Sequence, residues 1–251
     1  MKSNTCKTTS RRIFLRSAAA AIALGSVPAA VLAQYGASAG TGSKMKIGIV
    51  GSGRVGSAVG GAWVKAGHEV MFSSLDLEAD KKLAASLGGG AKAGTPREAA
   101  AFGSVLVISV PYRALPSVGK DLGDLLKGKI VIDTSNPIVA RDGDMAVAAR
   151  EKGAGISSQE FLPGARIVRA FNAIGAARMA DAANKKENIG MPIAGDDKAA
   201  IDTTAALVRD VGYEPVLVGN LATMGKHLIP GTPLGGERSP DEVRKVAATL
   251  K

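Results

Sequence analysis

Apolar and polar residues change period along this chain. Residues 45–50, 104–110 and 129–133 are near-continuous apolar runs of strand length, the pattern of a parallel sheet buried on both faces. Residues 68–72 form another short run, and 166–172, 191–195 and 214–218 three more. Between runs the spacing becomes helical. It does so over residues 57–66, over 114–126 with Leu115, Val118, Leu122, Leu125 and Leu126 on one face, and from about 198 to 211. Gly195-Asp196-Asp197 reads as the turn and cap before that third helix, and Ser239-Pro240 as cap and first turn of a last one. Strands alternating with helices predict an α/β fold.

The first 33 residues break this pattern. Ser10-Arg11-Arg12-Ile13-Phe14-Leu15-Arg16 resembles a twin-arginine export signal. An apolar run from Ala18 to Leu32 follows, broken by Gly25 and Pro28, and Val31-Leu32-Ala33 offers small residues for cleavage before Gln34. The run falls short of the roughly 20 residues needed to span a bilayer, so no stable membrane anchor is expected. Residues 34–44 read as a flexible linker. The expected location is therefore periplasmic.

That prefix changes the composition. Of 32 basic residues it holds five (Lys2, Lys7, Arg11, Arg12 and Arg16), leaving 27 against 22 acidic, a formal +5 instead of +10. The remaining charge is spread out, and aromatics are 4%, so no nucleic-acid partner is expected. Cys6 lies in the prefix and the chain has two His, His68 and His227, so thiol chemistry and a metal site are not expected.

Gly51-Ser52-Gly53-Arg54-Val55-Gly56 directly follows the first strand and opens the first helix, the context that a G-x-G-x-x-G motif requires. Gly51 permits the tight turn, Gly53 lets a pyrophosphate reach the backbone, and Gly56 lets the helix pack closely on the strand. The helix N-terminus offers free amides and partial positive charge to the phosphates. The expected architecture is a Rossmann-type doubly wound, mostly parallel sheet. Residues 45–172 form the dinucleotide-binding domain, and 173–251 a short C-terminal α/β extension on the acceptor side.

The second strand ends in Ser73-Ser74 rather than an acid. Two hydroxyls there can donate to a 2′-phosphate, with Arg54, Lys81 or Lys82 adding charge, which favours NADP over NAD; Asp76 counts against it. Alternatively the serines cap the next helix. Asn136, after a strand end, is either a carboxamide partner or a turn residue before Pro137. His227 is a candidate for proton transfer, whereas His68 reads as a surface turn residue.

The ordered set Lys46-Ile47-Gly48-Ile49-Val50-Gly51, Gly67-His68-Glu69-Val70, Val110-Pro111-Tyr112, Thr134-Ser135-Asn136-Pro137, Ala170-Phe171-Asn172 and Val218-Gly219-Asn220-Leu221 resembles the NADPH-dependent coenzyme F420 reductase family. The resemblance implies hydride transfer between NADPH and a small deazaflavin- or flavin-like acceptor. It implies that Ser52 to Val55 bind the pyrophosphate and Ser73 and Ser74 the 2′-phosphate. Val110, Pro111 and Asn136 then line the nicotinamide, and Asn172 and Leu221 face the acceptor. Where the family usually carries Ser-Arg this chain has Ser73-Ser74, so the phosphate-clamping cation is missing.

A rival reading is an exported dinucleotide-binding protein without turnover, a sensor or partner subunit, since a periplasm is not expected to hold free NADPH. An imine or hydroxy-acid reductase fits less well, because only about 80 residues follow Phe171. A short second lobe of this kind often pairs, which makes a homodimer a candidate state.

Overall fold

The computed structural model describes residues 43–180 and 188–250, together with residue 1. Nearly all of the expected export signal and most of the expected linker thus lie outside the described residues. The chain divides into two units, Met1–Gln34 and Tyr35–Lys251, and the second carries the fold.

In that unit β1 (Lys46–Val50), α1 (Arg54–Lys65), β2 (Glu69–Ser73), α2 (Leu77–Leu87), β3 (Ala91–Ala93), α3 (Pro96–Phe102), β4 (Val105–Ile108), α4 (Leu115–Leu126) and β5 (Ile130–Asp133) follow one another. Three short helices, α5 (Val139–Asp142), α6 (Asp144–Lys152) and α7 (Ala154–Phe161), lead into β6 (Arg166–Arg169). Then come α8 (Ala176–Ala180), β7 (Gly190–Gly195), α9 (Lys198–Asp210), β8 (Glu214–Gly219), α10 (Leu221–Met224) and α11 (Pro240–Ala248).

The strands make one sheet in the order β3-β2-β1-β4-β5-β6-β7-β8. The first six are parallel and run 3-2-1-4-5-6, the doubly wound order in which the chain reverses direction beside β1. β7 is antiparallel to β6, and β8 is parallel to β7. The lobe expected from residue 173 is therefore an extension of the same sheet rather than a separate body.

Apolar side chains cover both faces. Trp63 of α1, Ile201 and Leu207 of α9 pack with Ile47 and Ile49 in one core. Leu115, Leu122 and Leu126 of α4 pack with Leu106 and Ile108 in another. Each such buried side chain contributes about 1.5–3 kcal/mol over leaving it exposed. Trp63 also ties the halves together, with its ring edge-on to Phe171 at 5.6 Å and its indole N–H donating to the Leu207 carbonyl at 2.8 Å.

Local signals set most helix ends. Ser239 and Glu242 form a capping box that starts α11, as do Thr95 and Glu98 for α3. Asp197 accepts the Ala200 N–H at 2.8 Å and caps α9. His68 departs from expectation. It is 3% exposed, its Nδ1 accepts the Met45 N–H at 3.2 Å, and its Nε2 lies 3.1 Å from Asp210, so it joins two elements in the interior.

Candidate active site

β1 ends against a loop shaped by its glycines. Gly51 has φ +98°, and a Cβ there would fall 2.3 Å from the Ser109 carbonyl oxygen. Its N–H and that of Ser52 both donate to the Ser73 carbonyl, at 2.8 and 3.1 Å, which fixes the loop to β2. A Cβ on Gly56 would sit 2.1 Å from the Gly51 carbonyl oxygen, so α1 reaches the loop only because this residue has no side chain. Gly53 differs. Its φ of −70° suits any residue, and a Cβ there would meet nothing within 4 Å. Nothing in the protein itself requires glycine at 53, and a side chain there would stand over the open loop. With no acid in the first turn of α1, these residues fit a pyrophosphate.

Two cavities meet at this loop. One, about 950 Å³, runs past Ser74, Leu75, Asp76, Arg97 and Arg113. The other, about 610 Å³, is bounded by Val55, Asn136, Arg141, Phe171, Asn172 and Pro230. Gly53, Ser109, Val110 and Pro111 line both. The result is one elongated cleft over the carboxyl ends of the central strands, where the strand order reverses. Its two halves match the two nucleoside ends of a dinucleotide, with Gly53 between them.

The β2 end differs from expectation. The Ser73 side chain is fully buried and its hydroxyl donates to the Ile49 carbonyl at 2.6 Å, so it cannot serve a 2′-phosphate. Position 73 closes β2, and its side chain is buried where its hydroxyl meets the β1 backbone. Ser74 does line the larger cavity, but its hydroxyl donates to Asp80 at 2.8 Å. Neither serine caps α2; Asp76 does, accepting the Ala79 N–H at 2.9 Å. Of the cations proposed to help, Lys81 pairs with Glu78, and Arg54 borders the smaller cavity.

Beneath the smaller cavity lies a buried polar network. Arg169, fully buried at the end of β6, pairs with the equally buried Asp133 at the end of β5. It also donates to the Ser135 carbonyl at 3.0 Å and to Asn136 Oδ1 at 3.3 Å. Asn136 Nδ2 donates to the Asn172 carbonyl at 2.9 Å, and Asn172 Nδ2 lies 3.4 Å from Asn136 Oδ1. Ser158 donates to Asp133 at 2.7 Å, and Tyr112 donates to the Ala154 carbonyl at 2.8 Å. Burial pushes the Tyr112 hydroxyl up to about 12, so it keeps its proton as a donor. Phe171 has φ +62°, the only non-glycine in the left-handed region among the described residues. Such strain costs about 1–3 kcal/mol and clusters at functional sites. Here it turns the chain after β6 so that Asn172 meets Asn136. The Asn172 Oδ1 atom is buried without a hydrogen-bond partner.

Of the residues expected on the acceptor side, Asn172 lines the smaller cavity, whereas Leu221 and His227 do not. Leu221 is buried in the core below α4. His227 is half-buried, and burial together with neighbouring Lys226 lowers its pKa, which favours the neutral ring. Pro230, from the same irregular segment, lines the cavity instead. Arg141 and Ile174 line it too, with no motif to mark them in the sequence. No group of His, Cys, Asp or Glu suited to a metal ion occurs among the described residues.

Comparison with known proteins agrees with this geometry. Residues 46–137 match the family model described as NADP oxidoreductase coenzyme F420-dependent. The F420-dependent NADP reductase of Methanothermobacter thermautotrophicus is 27% identical over 191 residues, 70% of this chain and 82% of that protein. The metalloreductase STEAP3 of Rattus norvegicus is 30% identical over 178 residues, 71% of this chain; the chain spans about a third, 34%, of that relative's length. A crystal structure of a hypothetical protein from Sinorhizobium meliloti has TM-score 0.68 at 25% identity, covering 78% of this chain and 96% of the other. The fold is Rossmann-type, and these likenesses support an NAD(P)-dependent oxidoreductase similar to the coenzyme F420-dependent NADP oxidoreductases.

Proposed function

We propose that this protein transfers a hydride between NADP(H) and a small, flat acceptor of the deazaflavin or flavin type, after export by the twin-arginine route. The observation that carries the reading is the cleft itself: two cavities joined over Gly53, with buried carboxamides at one end and an exposed helix cap at the other. The nicotinamide supplies or takes the hydride. The chain binds, orients and shields.

Val110 and Pro111 give that end an apolar wall. Asn136 is held from below by Arg169 and from the side by Asn172. Hydride transfer needs alignment and exclusion of water more than an acid or base. A neutral His227 outside the cavity is compatible with that chemistry.

The experiment is native mass spectrometry of protein purified from the periplasm, followed by anaerobic mixing with NADPH and either FMN or a deazaflavin. Bound NADP(H), and NADPH oxidation dependent on one acceptor, are the expected results. A processed, folded protein that carries no dinucleotide and oxidises no NADPH with either acceptor overturns the reading.

A further inference from the structure

The larger cavity has behind it a carboxylate that the reading above does not use. Asp80 lies in the first turn of α2 and is 1% exposed. Ser52 donates its hydroxyl to one oxygen of Asp80, and Ser74 donates to the other at 2.8 Å. The Ser74 oxygen also accepts the Asp76 N–H at 3.1 Å.

A serine hydroxyl has one proton to give. With its proton on Asp80, Ser74 brings an acceptor oxygen rather than a donor to the larger cavity, and the proton of Ser73 is on the Ile49 carbonyl. Lone pairs suit a ribose 2′-hydroxyl, which donates. A 2′-phosphate needs donors and is repelled by a buried negative charge close by. The cations lining the same cavity have protein partners of their own. Arg97 is bound to Asp124 through two bonds of 3.0 and 2.6 Å, and Arg113 donates to the Arg141 carbonyl. Asp76 is also at this cavity, but it is exposed and its charge is screened by water.

We propose that Asp80 sets the choice between NADH and NADPH. It is a positioning residue that acts through Ser74, favouring the ribose diol and limiting preference for the 2′-phosphate. The inference rests on the dinucleotide reading of the cleft. In Asp80→Asn the charge is gone, and the Asn N–H donates to one serine oxygen, which frees that serine's proton for the cleft.

The test is fluorescence titration of NADH and NADPH into the full chain, wild type, Asp80→Asn and Ser74→Ala. In wild type the two Kd values should lie within about fivefold, because no free donor or cation is committed to the phosphate. Asp80→Asn should shift their ratio about tenfold or more toward NADPH while NADH Kd moves less than about threefold. A purely structural role would move both cofactors together. Ser74→Ala should weaken NADH by about three- to tenfold and leave NADPH nearly unchanged, since its oxygen serves the diol and its proton does not serve the phosphate. An unmoved ratio in folded Asp80→Asn overturns the proposal. So does a selective loss of NADPH affinity of about tenfold in Ser74→Ala, an arm that stands even where Asp80→Asn does not fold. A wild type that binds neither cofactor overturns the cleft reading and this inference with it; one that binds both, with a fixed ratio in Asp80→Asn, overturns the role of Asp80 alone.

Discussion

Gly53 and Ser73 show how differently single positions can relate to a ligand. The space beside Gly53 is open on the protein side, so Gly53→Val should leave the fold intact while its side chain occupies the place of the pyrophosphate. Calorimetry should then register no NADPH or NADH binding, with an unchanged melting temperature. Ser73 is the opposite case. Its hydroxyl is committed to the Ile49 carbonyl, so Ser73→Ala should lower stability by about 1–3 kcal/mol through the acceptor left unpaired. The NADPH to NADH affinity ratio should stay where it was; a ratio that changes in this variant would return the Ser73 hydroxyl to the cofactor. The two serines look equivalent in sequence. A bond to the β1 backbone buries one side chain, and its neighbour falls beyond the strand end.

At the scale of elements, the carboxyl ends of β5 and β6 are joined by Asp133 and Arg169, and that pair sets where Asn136 sits. Removing one member of a buried pair strands the other's charge. Arg169→Met should therefore destabilise the protein by about 3–5 kcal/mol in urea unfolding. Adding Asp133→Leu should recover much of that loss, since two apolar side chains leave no buried charge. NADPH affinity should stay weakened in the double variant, because Asn136 Oδ1 has lost its donor; full recovery of affinity would show that the pair serves stability alone. The helix signals at this scale were readable locally. Ser239-Pro240 starts α11 and Asp197 caps α9 as expected, because capping depends on residues within one turn. α1 begins at Arg54, three residues before the apolar spacing indicated, because Gly53 itself is its cap. β3 is only Ala91-Lys92-Ala93, too short to establish a period, and the α5–α7 segment lacks a sustained apolar stripe, so neither carried a signal.

For the whole molecule, one sheet runs from β3 to β8 and both cavities lie along it. No helix among the described residues is long and apolar enough to cross a membrane. The proposed export depends on residues 1–33 instead. Arg11→Lys with Arg12→Lys should leave the precursor in the cytoplasm, read by fractionation and by the mass of the chain. Normal processing of that double variant would mean that the pair is not an export signal. A cytoplasmic precursor retaining full cofactor binding would separate the address from the cleft, as the fold beyond residue 34 predicts.

The sequence by itself determined the α/β class, the phosphate loop and the strands around it. Apolar runs, a glycine spacing and capping residues act through near neighbours, so their meaning survives without tertiary context. It also pointed to Val110, Pro111, Asn136 and Asn172, which follow strand ends and so fall at the cleft. Only the tertiary structure decided which hydroxyls are free. Ser73 against Ile49, Ser52 and Ser74 on Asp80, and His68 beside Asp210 are bonds between residues 6 to 142 positions apart. It likewise placed Leu221 in the core, left His227 outside the cavity and brought Pro230 into it. Those outcomes depend on how distant elements pack, and on where each buried polar group finds its partner.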